Sequence, residues 1–269
     1  MTALMTELAA SSLLGFFLFL AAVQLISKEV GYFIGRLRTK DPKLKDESVN
    51  IVSASIFGLL AFALAFNLSL ASTRYGERRE AVLQEANAIG TLWLQAKAVN
   101  HPRGEAIAAL AEDYIALRKT GVKAYWGAEE IATAAVAISD LQNQMWGHLT
   151  ALAQDRIDPQ VVQLEGNLNA MFDSTTTVQF AMNRTAPMQV TWLLLCITFV
   201  AMGMLGYQFG LNGHPHRALA TMMVAVWTMV LLVIFDLGSA RIGDIRVDTS
   251  VYDSTISSMK PIPIPPLAP

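Results

Sequence analysis

Two phenylalanines four residues apart, Phe62 and Phe66, sit inside a long apolar run. Ser55, Gly58, Ser69 and Thr73 fall on the same face if the run is helical. Such a face is polar or small at both ends and has two rings in the middle. Arranged around an axis by several copies, it would make a passage with small or polar mouths and a hydrophobic waist, and such waists gate ion flow by dewetting. The same spacing also suits two rings packed between helices of one subunit. A second small face, Ala54, Gly58, Ala61, Ala65, Ser69 and Ser72, lets helices approach closely.

The apolar run passes without a proline or a turn cluster into charged sequence. Arg74, Glu77, Arg78, Arg79 and Glu80 follow within seven positions, and Glu85 lies further on. Arg74 and Arg78 are at helical spacing or adjacent to Glu77, so ion pairs with Glu77 are expected. The alternative is a solvated face with interfacial anchors, whose surface pairs contribute about 0–1 kcal/mol each. Glu85 and Asn87 either join a buried network between helices or face water.

Other chemistry has little support. There is no phosphate-binding loop, dinucleotide fingerprint, HExxH, G-x-S-x-G or paired CxxC in the chain. No catalytic residue, metal ligand set or cofactor is expected, and the chain is read as a non-enzyme. His214 and His216 flank a proline and make a poor metal site by themselves. The single cysteine, Cys196, lies within an apolar run and reads as a small packing residue. A net charge of −2 gives no bulk attraction to nucleic acid. Asp236 ends an apolar run, where it either has a functional role or caps a helix.

The elements that carry these residues follow from hydropathy. The 269 residues are 53% hydrophobic and only 16% charged, too apolar for an ordinary soluble domain. A bilayer core of roughly 30 Å needs about 20 apolar residues per helix. Four windows qualify: about 8–26, 51–71, 190–211 and 218–237. Glu7 and the lack of a basic segment before the first window argue against a signal peptide. The expected fold is all-α, with four transmembrane helices in two pairs and a helical bundle between them. The expected divisions are 1–71 for the first pair, 72–189 for the soluble bundle, 190–237 for the second pair and 238–269 for a C-terminal segment with a proline-rich tail. Residues 27–50 read as a basic linker carrying Lys28, Arg36, Arg38, Lys40, Lys43 and Lys45. Residues 211–217 read as a tight turn.

Within the bundle, residues 51–98 are expected to form one helix ended at Asn100–Gly104. A break is expected at Gly127. Asp158 is read as an N-cap with Pro159 at the first helical position of a helix reaching Arg184. Pro187 marks entry to the third span. Lys and Arg are nearly balanced on the two membrane sides, so charge does not set the orientation.

The stretch LAFNLSLASTRYGERR, Leu64–Arg79, resembles the segment after the pore neck of bestrophins, most closely their bacterial members. The shared pattern is Phe66, then Arg74, Tyr75, Glu77 and Arg79. The whole chain is more similar to the bestrophin-like family of bacterial membrane proteins, through RYGERREAVLQEANAIGT (Arg74–Thr91) and DLGSARIGDIRV (Asp236–Val247). The resemblance implies an ion channel with a neck at Gly58, Phe62 and Phe66 and mouths at Ser55, Ser69 and Thr73. Arg74, Glu77, Arg78, Arg79 and Glu85 would then belong to a vestibule and structural charge network. It also implies a homopentamer rather than a tetramer, in the inner membrane, with the middle domain and both termini cytoplasmic. Its partners would be small inorganic ions, membrane lipids and further copies of itself. Four departures stand out: Gly58 gives the outer ring no side chain, Asn67 replaces a basic residue, Gly76 replaces an aromatic, and no acidic cluster matches the calcium clasp of animal bestrophins. The alternative function is a non-conducting membrane scaffold or sensor.

Overall fold

The computed structural model describes residues 13–38, 47–123, 128–156, 158–184, 187–240 and 245–260. These form helices joined by short connections, and the described residues contain no strand. In chain order the helices are α1 (Leu13–Arg38), α2 (Glu47–Ala98), α3 (Pro102–Lys123), α4 (Ala128–Asp155), α5 (Pro159–Asn183), α6 (Met188–Leu211), α7 (Arg217–Gly238) and α8 (Ser250–Ser258). Among the described residues, four helices are long and apolar enough to cross a bilayer. The chain is a multi-pass membrane protein. It divides into two compact units, with α2 contributing to both: one holds residues up to Tyr75 and Thr185–Arg246, the other Gly76–Arg184 and the residues from Val247 onward.

The membrane unit contains α1, the first part of α2, α6 and α7. Its core gathers Phe16, Leu20, Leu60, Leu64, Leu194, Leu195, Met202, Leu231 and Ile234. Phe16 meets Phe235 edge to face at 5.7 Å. The tightest packing is between α1 and α6. A methyl group on Gly31 would stand 1.9 Å from Gly203 O, and one on Gly206 would stand 1.8 Å from Lys28 O. Gly35 faces Tyr207 O, and Gly210 faces Tyr32 O, with similar crowding. Backbone contact of this kind replaces hydrophobic driving force, which lipid does not supply between helices.

This packing corrects the expected linker. Residues 27–38 are not a loop; α1 continues through Lys28, Arg36 and Arg38. Gly31 and Gly35 give this stretch a close partner in α6, and Arg36 and Arg38 fall in its last turn, where cations suit the helix dipole. Residues 8–12 of the first expected span and Lys40, Lys43 and Lys45 lie outside the described residues. The other three spans agree with helices at 188–211, 217–238 and the apolar part of α2. The turn between α6 and α7 contains Gly213 with φ of +71° and His216 with φ of +33°.

The second unit packs the rest of α2 with α3, α4, α5 and α8. Its core includes Val82, Ala86, Ile89, Leu92, Trp93, Ile107, Ile115, Met145, Leu152, Leu164, Met171 and Tyr252. α2 runs unbroken for 52 residues, about 78 Å at 1.5 Å per residue. It ends where Asn100 takes φ of +49° and Pro102 opens α3. Asp158 caps α5 by accepting from the backbone N–H groups of Gln160 and Val161, with Pro159 at the first helical position. Gly127 lies outside the described residues, although α3 ends at Lys123 and α4 begins at Ala128. The proline-rich tail beyond Lys260 also lies outside them. Ahead of it stands α8, a short helix that the sequence reading did not anticipate.

Candidate functional site

α2 carries every residue of the expected neck and mouths, and its two sides differ sharply. Ser53, Leu60, Leu64 and Ala71 are buried against the membrane unit. Ser55, Gly58, Phe62, Phe66, Ser69 and Thr73 are all exposed, as are Ala54, Ala61, Ala65 and Ser72. Phe62 and Phe66 are 69% and 55% exposed. Their rings stack nearly parallel, 6.3 Å apart and 13° from coplanar. They therefore pack on each other along the helix and not between the described helices of their own subunit. A methyl group on Gly58 would meet nothing within 4 Å.

Three polar residues on or beside this face bond to their own helix. The Ser55 hydroxyl donates to Ile51 O at 2.8 Å, and the Thr73 hydroxyl to Ser69 O at 3.0 Å. The Asn67 amide donates to Ala63 O at 2.8 Å. Backbone carbonyls one turn earlier thus satisfy the donors of Ser55, Asn67 and Thr73, so these residues can meet lipid, water or another helix. No family model, curated protein or solved structure matches the chain.

The charged part of α2 is sorted into separate environments. Arg74 is partly buried, Arg78 is buried, and Glu77, Arg79 and Glu80 are exposed. Glu77 takes Arg184 Nη1 at 3.0 Å. That partner lies at the end of α5, distant in sequence from the Arg74 and Arg78 that helical spacing nominates. Arg79 stands near enough to Asp248 to favour its ionised form. The Asp248 carboxylate is held below its ordinary range first by the Ser250 backbone N–H, then by the Ser250 hydroxyl, with Arg79 adding less.

Glu85 belongs to a buried polar cluster. It is 0% exposed, and Arg118 from α3 donates to it through Nε at 2.8 Å and Nη2 at 3.1 Å. The Tyr252 hydroxyl of α8 donates to Glu85 Oε2. Beside them Tyr114 of α3 shares a hydrogen bond with Thr175 of α5. Burial pushes the Tyr114 hydroxyl up to about 12, with the Glu85 charge adding to the shift. Burial, then Glu85, also raises the Tyr252 hydroxyl. Burial is the largest influence on Arg118 and works against its charge, but Glu85 together with Tyr114 and Tyr252 outweighs it, and its pKa ends above the ordinary value. The result is an ionised pair served by neutral tyrosines, a bidentate arrangement among the stronger hydrogen-bonded contacts.

Arg118, Tyr252, Tyr114 and Thr175 were not singled out from sequence. One signal was present: Glu85 falls in line with Val82, Ile89 and Leu92, the buried stripe of α2. A carboxylate on such a stripe needs a buried cation, but nothing in the spacing identifies Arg118 as that cation or brings Tyr252 back from the C-terminal segment.

The remaining candidates have local roles. Asp236 accepts from the Ile245 backbone N–H at 3.1 Å and so closes the connection after α7. Tyr75 donates to Arg246 O at 3.2 Å in the same unit. His214 and His216 stand with ring centroids 6.0 Å apart. Among the described residues, no three His, Cys, Asp or Glu side chains gather closely enough to hold a metal. Cys196 is exposed on α6.

Proposed function

We propose that the protein is an oligomeric membrane channel for small ions, with a hydrophobic neck formed by Phe62 and Phe66 of α2. The observation that carries this reading is the outward face of α2. A helix packed into its own subunit by Leu60 and Leu64 turns Ser55, Gly58, Phe62, Phe66, Ser69 and Thr73 away from it. Small residues on that face allow close approach of symmetry-related helices. The two rings would form the constriction, and the serines and threonine its hydrated mouths.

The arrangement favoured is a bestrophin-like ring of five copies in the inner membrane, with the helical bundle and both termini in the cytoplasm. This follows from the resemblance of Leu64–Arg79 and Arg74–Thr91 to that family. Arg74, Glu77, Arg78, Arg79 and Glu85 then serve the vestibule wall or its support, with Glu85 in the supporting role. No catalytic step or cofactor is part of the proposal. Imaging of the purified protein in nanodiscs tests it. A ring with an axial path bordered by α2 supports the channel. A monomer, or an oligomer with no axial path, would favour a membrane scaffold whose helical bundle binds partners.

A further inference from the structure

The membrane unit contains polar side chains at a depth where most neighbours are apolar. Gln24 of α1 is 0% exposed. Its amide nitrogen donates to Thr228 Oγ1 of α7 at 2.9 Å. The Thr228 hydroxyl hydrogen is already committed, because it donates to Val224 O at 2.7 Å. Thr228 Oγ1 can therefore only accept from Gln24. This fixes the amide with its nitrogen toward α7, since the reverse orientation would set two acceptors against each other. The amide oxygen Oε1 is left buried and receives no hydrogen bond among the described residues. Within hydrocarbon such a group has no bulk water to turn to.

Lys28 lies one turn along α1 and is 1% exposed. Residues four apart on a helix have their Cβ atoms about 5–6 Å from each other. One of the three ammonium N–H donors of Lys28 goes to Glu29 Oε1 at 2.7 Å. Glu29 is open to the surroundings, and its Oε1 stands 4.0 Å from Arg217 Nε at the start of α7. Arg217, Glu29 and Lys28 thus follow one another at the end of the unit where α7 begins, with the Lys28 ammonium also 5.9 Å from the centre of the Tyr32 ring, and the Gln24–Thr228 pair lies one turn further in along α1. From Arg217 to Thr228 the rise along α7 is about 16 Å, near half of the hydrocarbon thickness.

We propose that Gln24 Oε1 is part of a water-binding site between α1 and α7, reached past Glu29 and Lys28. The chemistry selects the ligand. The partner of Oε1 must donate a hydrogen bond and be small enough for a closely packed bundle. Water meets both requirements, as buried waters in proteins commonly do. The site lies away from the outward face of α2 and is independent of the channel reading.

The test uses the full chain in liposomes. Solid-state NMR follows exchange of the Gln24 side-chain amide hydrogens on transfer to D2O, with the signal identified by its loss in Gln24→Leu. If that variant does not fold, the signal is identified by its shift in Thr228→Val. The expected result is exchange at least tenfold faster than the backbone N–H groups of Leu60 and Leu64. Protection of the Gln24 amide as long as those backbone groups would overturn the proposal. Lys28→Met is expected to slow the exchange, and an unchanged rate in that variant would remove Lys28 from the site.

Discussion

Arg118 grips Glu85 with two parallel N–H donors, at 2.8 and 3.1 Å, and both side chains are buried. The pair joins α3 to α2 inside the second unit, and the Tyr252 hydroxyl adds α8 to the same carboxylate. Removing one partner leaves the other charge buried and uncompensated. Arg118→Leu is therefore expected to destabilise the second unit by about 3–5 kcal/mol. Glu85→Gln, Arg118→Leu together should recover part of the loss. Chemical denaturation of the detergent-solubilised protein checks this, and equal losses in the single and double variants would argue against a coupled pair.

The tyrosines of this cluster predict a loss of stability at high pH. Their hydroxyls titrate higher in the folded chain than in the unfolded one, where 10.0 is ordinary. Their contribution is whole below pH 10 and falls as pH rises toward the folded value, about 12 for Tyr114, because the unfolded chain releases its protons first. Thermal unfolding between pH 8 and pH 12 should fall less steeply in Tyr252→Phe than in the parent. The same slope in both would remove Tyr252 from the explanation.

Two glycines are predicted to respond oppositely to an added methyl. Gly206 lies against Lys28 O, so Gly206→Ala must push α1 and α6 apart and should reduce the yield of folded protein. Gly58 has open space around it among the described residues, so Gly58→Ala should leave the subunit folded. Size-exclusion profiles and circular dichroism of both variants make the comparison.

The cap of α5 offers a smaller effect. Asp158 accepts two backbone N–H groups, at 2.9 and 3.0 Å, and Asp158→Ala is expected to destabilise the second unit by about 1 kcal/mol. Asp158→Asn should retain most of the stability, as read by the midpoint of chemical denaturation.

Much of the fold was legible because apolar length and helix punctuation are local signals. The long α2, the stop near Asn100, the cap at Asp158 and the entry at Pro187 all rest on residues within a few positions of the feature. What escaped is long-range. Residues 27–38 contain four basic and acidic side chains, which end the apolar window of the first span and so suggest a linker. Gly31 and Gly35 make them helical by meeting α6, a partner about 170 positions away. The charges near Glu77 followed the same rule: local spacing nominated Arg74 and Arg78, while Arg184 arrives through the fold. α8 is short and rich in serine and threonine, poor helix formers, and owes its position to contacts through Tyr252. The outward face of α2 was visible as a pattern, but its direction relative to the rest of the subunit required the packing.

The most direct measurement compares potassium and chloride flux in liposomes holding the parent protein with flux in the Phe62→Ala, Phe66→Ala double variant. The channel account predicts measurable flux in the parent that rises in the variant, because removing the rings widens and wets the neck. No flux in either, with the folded oligomer verified, would contradict it.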